Sequence, residues 1–379
     1  MKIYVLILLF VTYSLKAREE RNWYSIEEWT NQELTYSQGM KLISVDEIDD
    51  YAVSVTYALD GGRFGDQLTN YLKALWISYK YDTPLIYRPF DCSEKLVLSD
   101  IHTNLFSEEK VKSFDAKLEY FTPFEPHKTA TVFQFLDKMP NHRDPNKKKL
   151  IWNIGLLTSF IEGHVCEKME DDGFRRLIQK LIKPKEKLEL LSIPQNYKSI
   201  AIHVRTGVGF DWEINIRNMP TKFPKDSFYL GSLKQALDYF KGEPLYVYIF
   251  TDHPQPEVIE KRYQKEIETW NLENEIILDC RRDGNHHTAH VLEDFFSMAL
   301  FDCIIHGDSS FSRLAAILSA PMLEFCPSLW GELRLDLDGQ ILLDRDGQFI
   351  VDPLMVEREE KGKSIIRMEL SPIDPSFLF

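Results

Sequence analysis

A histidine and an arginine stand two residues apart at the end of an apolar run in the middle of the chain. Residues 199–205 read Ser-Ile-Ala-Ile-His-Val-Arg, a pattern that predicts a buried strand with His203 and Arg205 on one face. The guanidinium of an arginine is always charged, and its planar fork fits phosphate oxygens. Because Gly207 and Gly209 follow, the pattern favours anion capture by a flexible loop. A surface ion pair made by Arg205 is the alternative.

Two further polar groups stand where helices are expected to begin. Ser309 and Ser310 precede an apolar helical pattern, and their hydroxyls and free amides would form a cradle for an anion. Asp294 opens another helix and could accept two hydrogen bonds from a guanine edge, although carboxylates at this position are usually helix caps. A cation and a helix start around one crevice would hold a diphosphate without a metal. Asp-x-Asp pairs, which metal-dependent sites use, occur only at 336–338 and 344–346.

A glycine-rich octet at 60–67 separates a strand pattern at 51–59 from a helical pattern, and a second strand pattern follows at 84–87. Backbone amides in such a loop can approach an anion or a sugar closely. Gly62 would permit that approach, and Arg63 would lie at the mouth of the loop. Simple turn formation is the alternative, since the glycine spacing is not the dinucleotide-binding fingerprint.

The second half of the chain alternates strands and helices, which predicts a parallel, doubly wound sheet with right-handed crossovers. Ligands bind at the carboxyl ends of such strands, so we expect the site after Arg205, near Thr251, near Leu278 and around 307–310. The predicted strands are 199–205, 245–251, 275–278, 303–306 and 321–325, the predicted helices are 225–240, 256–267, 291–301 and 311–318, and a β meander is predicted at 333–353.

Length and composition restrict the class of protein. A chain of 379 residues can form two domains, and a proline-containing segment at 194–198 predicts domains at 18–195 and 196–379. The net charge of −14 argues against nucleic acid or an anionic membrane surface as the main partner. Five cysteines lie far apart, so neither a zinc site nor a disulfide framework is indicated.

The first 17 residues carry one lysine, an apolar run at 3–15 and Ala17. This layout is typical of a signal peptide, and it also fits a membrane anchor. We therefore expect residence in the lumen of the secretory pathway or anchoring to its membrane, with the cytoplasm as the alternative.

Taken together, the motifs resemble those of the GDP-fucose-using fucosyltransferases, which include the alpha-1,2, alpha-1,6 and protein O-fucosyltransferases. The similarity spans most of residues 52–325. It is carried by His203-Val204-Arg205 (H-x-R), by Val247 to Asp252, by Glu293 to Ala299, by Cys303 to Ser312, and by Gly62 to Gln67, which is similar to G-R-x-G-N-Q.

The resemblance implies a GT-B fold, that is, an α/β fold of two Rossmann-like lobes, with GDP-fucose in the C-terminal lobe and a glycan acceptor mainly in the N-terminal lobe. It implies inverting transfer with no cofactor and no metal. By the resemblance, His203 and Asp294 would contact guanosine, and Arg205 with Ser309 and Ser310 would contact the diphosphate. Gly62, Arg63 and Thr251 would complete the donor site.

An inverting transfer also needs a carboxylate that deprotonates the acceptor hydroxyl. Glu213 lies ten residues after His203, the offset at which alpha-1,6 enzymes place such a base, so it is the first candidate and Asp211 is the second. A solvated loop residue is the alternative reading of Glu213.

Three positions depart from the family pattern and leave other functions open. Thr206 stands where many members have a second arginine, Val208 where the alpha-1,2 motif has aspartate, and Asp66 where asparagine is usual. Asp66 would place a negative charge close to the donor diphosphate. The alternatives are a transferase for another nucleotide sugar and a non-catalytic glycan- or nucleotide-binding protein.

Overall fold

The structure is a computed structural model. It describes residues 53–59, 62–81, 84–102, 105–107, 117–120, 150–154, 172–208, 211, 216, 219, 221–270, 272–282, 284–319, 321–327, 353–358 and 365–369, which all belong to the compact unit Leu42–Phe379. The predicted signal or anchor segment at 1–17, the candidate base Glu213 and the meander at 333–352 lie outside the described residues. In the part of the chain that is described, no helix is both long and apolar enough to cross a membrane.

A small parallel sheet is formed by the first half of the chain, in the order β1-β3-β2. The predicted strand at 84–87 contributes only isolated bridges to this region, from Leu85 and Tyr87. The elements are β1 (Val53–Tyr57), α1 (Phe64–Tyr81), α2 (Leu98–Ile101), β2 (Lys117–Tyr120), β3 (Leu150–Ile154) and α3 (Asp172–Leu181).

Helix α1 begins earlier than the glycine-rich octet predicts. Its first turn contains Gly65, Asp66 and Gln67, so only the start of the octet is a turn. A carboxylate in the first turn is favourable because it faces the positive end of the helix dipole. The prediction of a loop up to residue 67 is therefore wrong.

A seven-stranded sheet is formed by the second half, in the order β10-β9-β8-β7-β4-β5-β6. The five strands from β8 to β6 are parallel, as predicted, and β9 and β10 add an antiparallel hairpin at one edge. The elements are β4 (Lys198–Val204), α4 (Asp226–Tyr239), β5 (Leu245–Thr251), α5 (Pro256–Ile267), β6 (Ile276–Cys280), α6 (Val291–Met298), β7 (Cys303–His306), α7 (Ser310–Ser319), β8 (Leu323–Pro327), β9 (Pro353–Arg358) and β10 (Ile365–Glu369).

Strand β4 lies at the point where the chain reverses its direction across the sheet. From β4 the chain proceeds to β5 and β6 on one side and then returns to β7 and β8 on the other. The carboxyl ends of β4 and β7 are neighbours, with His203 paired to His306. Ligands of doubly wound sheets bind in the crevice at this switch point.

Strand β5 is buried along its whole length because both faces of the sheet are covered. On one face, Val247 and Ile249 belong to the core with Tyr229 of α4 and Tyr263 of α5. On the other face, Phe250 packs edge-on against Phe301, with ring centroids 5.7 Å apart. Burial on both faces explains the continuous apolar sequence of β5.

The two sheets confirm the α/β class of the chain. The two-lobed GT-B arrangement and the boundary between residues 195 and 196 stay predictions.

Candidate functional site

A cavity of about 340 Å³ lies at the carboxyl ends of β4, β5 and β7. Seven of the predicted site residues line it, namely Arg63, His203, Arg205, Thr251, Asp294, Ser309 and Ser310. Gly62 is exposed and is not part of the lining. Asp211 reaches the site through its contact with Arg205. The structure therefore brings together residues that are far apart in the sequence.

His203 is held as a neutral ring at the end of β4. Burial, opposed in part by the charge of Asp252, lowers the pKa of its imidazole to about 3. The ring centroid lies 5.7 Å from that of Phe311, and Nδ1 is buried without a hydrogen-bond partner among the described residues. At neutral pH, His203 can therefore donate or accept a hydrogen bond but does not act as a cation.

Arg205 already has a carboxylate partner. Its Nη2 donates to Oδ2 of Asp211 at 2.8 Å, and both side chains are largely buried, at 14% and 11% exposure. Its Nε is buried and has no partner within the described part of the chain. The alternative of a surface ion pair is thus wrong, since the pair is buried at the cavity and one edge of the guanidinium remains available.

Asp252 fixes the turn that follows β4. Its Oδ1 accepts hydrogen bonds from the N–H and the hydroxyl of Thr206, both at 2.7 Å, and its Oδ2 accepts one from the N–H of Gly207 at 3.1 Å. Gly207 has a φ of +69°, a conformation that favours glycine. Sequence reasoning pointed to the end of β5 but did not assign this role to Asp252.

The two serines at the start of α7 are not equivalent. Ser310 donates from its hydroxyl to Oδ1 of Asp66 at 2.5 Å, whereas the hydroxyl oxygen of Ser309 is buried without a partner among the described residues. Gly307 permits the close turn, because a Cβ there would lie 3.0 Å from the carbonyl oxygen of Lys222. The predicted two-serine cradle therefore offers one free hydroxyl, and a carboxylate holds the other.

Asp294 forms an ion pair with Arg281, and both side chains are largely buried. Burial raises the pKa of the Asp294 carboxyl, and the charge of Arg281 opposes that shift. The carboxylate lines the cavity, and its contact with guanosine stays a prediction. The carboxylate is nevertheless shared with an arginine that sequence reasoning did not identify.

The start of α1 closes one wall of the cavity. Arg63 donates from Nη1 to the carbonyl of His287 at 3.1 Å, and burial, followed by the charge of Arg205, lowers the pKa of its guanidinium. Gly65 allows α1 to approach α7, because a Cβ there would lie 2.7 Å from the backbone nitrogen of Phe311. The loop residue Arg63 thus lies in the wall of the site, as predicted.

A polar segment after β6, which contacts Arg63, also forms part of the wall, and sequence reasoning missed it. The side-chain amide of Asn285 donates to the carbonyls of Thr251, at 2.6 Å, and His253, at 2.8 Å. His286 and His287 also line the cavity. The sequence contains a signal for this segment, since residues 285–290 form a largely polar run beyond the strand end near Leu278, where a ligand is expected.

Carboxylates outnumber cations in the lining of the cavity, which contains Arg63 and Arg205 and, on the acidic side, Asp66, Asp91, Asp252 and Asp294. The charges of Asp66, Asp211 and Asp252 oppose the lowering of the pKa of Arg63, and those of Asp66 and Asp211 oppose that of Lys222. Burial and the nearby charge of Arg205 lower the pKa of Lys222. The site therefore combines cations for an anionic group with carboxylates able to accept a proton.

The sequence matches no protein-family model and no curated protein. Among solved structures, the chain is similar to POFUT1 in complex with GDP-fucose, at 11% identity and a TM-score of 0.38, over 72% of this chain and 95% of that one. It is similar to Arabidopsis thaliana FUT1 in complex with GDP, at 12% identity and a TM-score of 0.48, over 93% and 86%. It is also similar to the fucosyltransferase NodZ from Bradyrhizobium, at 12% identity and a TM-score of 0.34, over 81% and 97%.

Proposed function

We propose that the chain is an inverting glycosyltransferase that transfers fucose from GDP-fucose to a carbohydrate acceptor without a metal ion at the diphosphate. The observation that carries this proposal is a set of three buried polar atoms at the switch point of the sheet, Nδ1 of His203, Nε of Arg205 and Oγ of Ser309, which have no partner among the described residues.

Buried polar atoms in native proteins nearly always have a hydrogen-bond partner. The three residues all line the same cavity, so a single ligand could contact all of them. A ligand with an anionic group would use the arginine and the serine as donors, and a heterocyclic base would suit the neutral His203. These requirements fit a nucleoside diphosphate.

The same groups would support the transfer step. As the acceptor oxygen attacks the anomeric carbon, the bond to the donor diphosphate breaks and the electron pair leaves with GDP. The leaving oxygen gains negative charge, which Arg205 and the Ser309 hydroxyl would stabilise through hydrogen bonds. Arg63, in the wall of the same cavity, would add a second positive charge, so fixed cations would perform the role that a metal ion has in other sites.

Asp211 is the candidate base that the described residues provide. Its carboxylate binds Arg205 at 2.8 Å. When the donor diphosphate binds the guanidinium of Arg205 in place of Asp211, the Asp211 carboxylate would be free to accept the proton of the acceptor hydroxyl. Glu213, the first candidate from the resemblance, lies outside the described residues and stays a prediction.

The domain and location of the enzyme belong to the same proposal. We propose GT-B lobes at 18–195 and 196–379, with the donor in the second, and residence in the secretory pathway. The presence of two sheets supports the two lobes, and the apolar run at 3–15 supports the location in the secretory pathway. An intact N-terminus on cytosolic protein would contradict the proposed location.

One observation favours a second function, a protein that binds a nucleotide or glycan without turnover. The carboxylate of Asp66 accepts a hydrogen bond from Ser310 at the start of α7, where the donor diphosphate is proposed to bind. A negative charge at that position would oppose the further negative charge that the diphosphate gains as it leaves, so it would impair turnover more than binding.

Calorimetric titration with GDP, ADP and UDP tests the proposal. It would be done without added divalent metal and repeated with Mg²⁺. Selective binding of GDP that is independent of Mg²⁺, followed by release of fucose or its transfer from GDP-fucose, would support the enzyme. Binding without any turnover would support the second function. Preference for another nucleotide would contradict the donor assignment.

A further inference from the structure

Three side chains with metal-binding atoms lie together on the neighbouring strands β7 and β8. The ligand atoms of His306, Glu324 and Cys326 all lie within 4.8 Å of one another. Glu324 and Cys326 are two residues apart on β8 and so share a face of the sheet. None of the three lines the cavity described above, so the cluster is separate from the candidate donor site.

The hydrogen bonds of His306 determine which ring nitrogen carries a proton. Nδ1 lies 2.7 Å from the carbonyl oxygen of Gly307. A carbonyl oxygen only accepts, so Nδ1 must be the donor, and Nε2 of the neutral ring carries the lone pair. Nε2 lies 3.1 Å from Oε1 of Glu324. Two acceptors face each other in a buried place, and a positively charged species must join them, either a proton or a metal ion.

The donor set favours the metal ion. An imidazole nitrogen, a carboxylate oxygen and a cysteine sulfur are the protein ligands of zinc. A ligating histidine typically donates its other N–H to a backbone carbonyl, as Nδ1 of His306 does to Gly307. Cys326 is also the most exposed of the three and would provide the entry path.

We propose that His306, Glu324 and Cys326 bind a zinc ion. The ion would hold β7 to β8 and would fix the Gly307 carbonyl, and with it the turn that leads to Ser309. Three protein ligands would leave the fourth tetrahedral position to a water molecule. The proposed role, holding β7 to β8, requires neither the proposed donor nor the transfer reaction. Cysteine spacing alone did not indicate this site because its ligands come from three residue types on two strands.

The zinc content of the full-length chain, purified without chelators, tests the proposal directly. We expect one zinc per chain in the wild-type protein, loss of zinc in Cys326→Ser and in Glu324→Gln, and retention in Cys280→Ser. Cys280 is the matched control, since it is a buried cysteine of the same sheet at its far edge, on β6.

A second measurement needs no variant and so does not depend on whether a variant folds. Replacing zinc with Co²⁺ in the wild-type chain should produce thiolate-to-cobalt charge-transfer absorption, and removing the metal should lower the thermal midpoint. The proposal is overturned if the folded wild-type chain is purified metal-free, gains no thermal stability from Zn²⁺ and shows no thiolate-to-cobalt band. That result would assign a shared proton to the His306–Glu324 pair.

Discussion

Asp252 accepts two hydrogen bonds from Thr206, one from the backbone N–H and one from the hydroxyl, each at 2.7 Å. Asp252 directly follows β5, and Thr206 lies two residues beyond the end of the neighbouring parallel strand β4. A carboxylate from one strand therefore holds the turn of the other, and that turn carries Arg205 into the cavity. Thr206 replaces the second arginine of the resembled family, and here it orients the turn.

We expect Asp252→Asn to weaken both the fold and the site. The amide oxygen can still accept from Thr206, but the amide nitrogen cannot accept from the N–H of Gly207. Losing a hydrogen bond to a charged group should lower the free energy of unfolding by about 1.5–3 kcal/mol and reduce GDP affinity. Urea unfolding and GDP titration measure the two effects. The exposed Asp238 of α4 supplies the control, since Asp238→Asn should change neither quantity.

Arg205→Ala tests the transition-state role of the guanidinium. Removing a charged donor from the leaving group should reduce turnover about 10²–10³-fold while the protein stays folded. Arg262→Ala is the matched control, because Arg262 pairs with Asp226 on the surface at 53% exposure, where such pairs contribute less than about 1 kcal/mol. A folded Arg205→Ala enzyme with near-normal turnover would remove Arg205 from the proposed mechanism.

Asp211→Asn distinguishes between two roles of Asp211, as the catalytic base and as the counter-ion of Arg205. The variant keeps the size of the side chain but removes its charge, so Arg205 should bind the donor at least as tightly as before. If Asp211 is the base, turnover should fall about 10²–10⁴-fold, and the acidic limb of the pH–rate profile should disappear. Unchanged turnover would leave Asp211 as a counter-ion, and Glu213→Gln should then show the loss.

The buried His102 should make the stability of the fold depend on pH. Its side chain is 5% exposed, its Nε2 is 2.9 Å from the hydroxyl of Tyr71, and burial lowers the pKa of its imidazole to about 3. The unfolded chain, with a histidine pKa of about 6.5, binds this proton first as the pH falls. The contribution of His102 to the free energy of unfolding is therefore fully present above about pH 6.5. It falls by about 1.4 kcal/mol per pH unit as the pH falls toward 3.

Urea unfolding at several values between about pH 6.5 and pH 5 measures this slope. His102→Gln should be less stable at neutral pH, because it loses the stacking on Tyr87, with ring centroids 4.9 Å apart. The free energy of unfolding of the variant should change less steeply with pH than that of the wild type, because the variant lacks one histidine whose pKa differs between the folded and unfolded chain. Equal slopes in the two proteins would contradict the assignment of a neutral, buried His102.

Gly65→Ala and Gly231→Ala form a matched pair with opposite expected signs. A Cβ on Gly65 would lie 2.7 Å from a backbone atom of Phe311, so α1 and α7 would have to separate, at a cost of about 1–3 kcal/mol. Gly231 lies within α4 and has open space around its Cα, so alanine there should stabilise by about 0.5–1 kcal/mol. Thermal unfolding of both variants checks the signs, and equal effects would contradict the tight approach at Gly65.

Strands that are buried along their whole length, and a helix that begins at a proline, were predictable from the sequence. The bounds of β5, α5 and β7 are those predicted, because full burial gives a continuous apolar run and a proline marks the start of α5. The position of the cavity was predictable as well, since parallel strands bring their carboxyl ends to one edge. The antiparallel strands β9 and β10 were missed, because the turn pattern placed the predicted meander earlier in the chain, at 333–353.

The pairing of charges at the site was not predictable. Arg205 pairs with Asp211 within the loop that follows β4, and Asp294 of α6 pairs with Arg281 of the loop that leads into α6. Periodicity indicates which face a side chain occupies but not which partner it meets across a crevice. Seven of the predicted site residues therefore line one cavity, while the hydrogen bonds and ion pairs that already engage them follow only from the structure.

The position of β4 beside β7 determines the order in which the sheet can form during synthesis. About a hundred residues of chain separate the end of β4 from the start of β7, and closing so long a loop is slow because its entropy is lost before the contacts form. During synthesis, β4 leaves the ribosome long before β7, and β5 and β6 can join it first. Nucleotide affinity should thus emerge only after β7 and α7 have been made, so a chain stopped after β6 would have the arginine but no crevice.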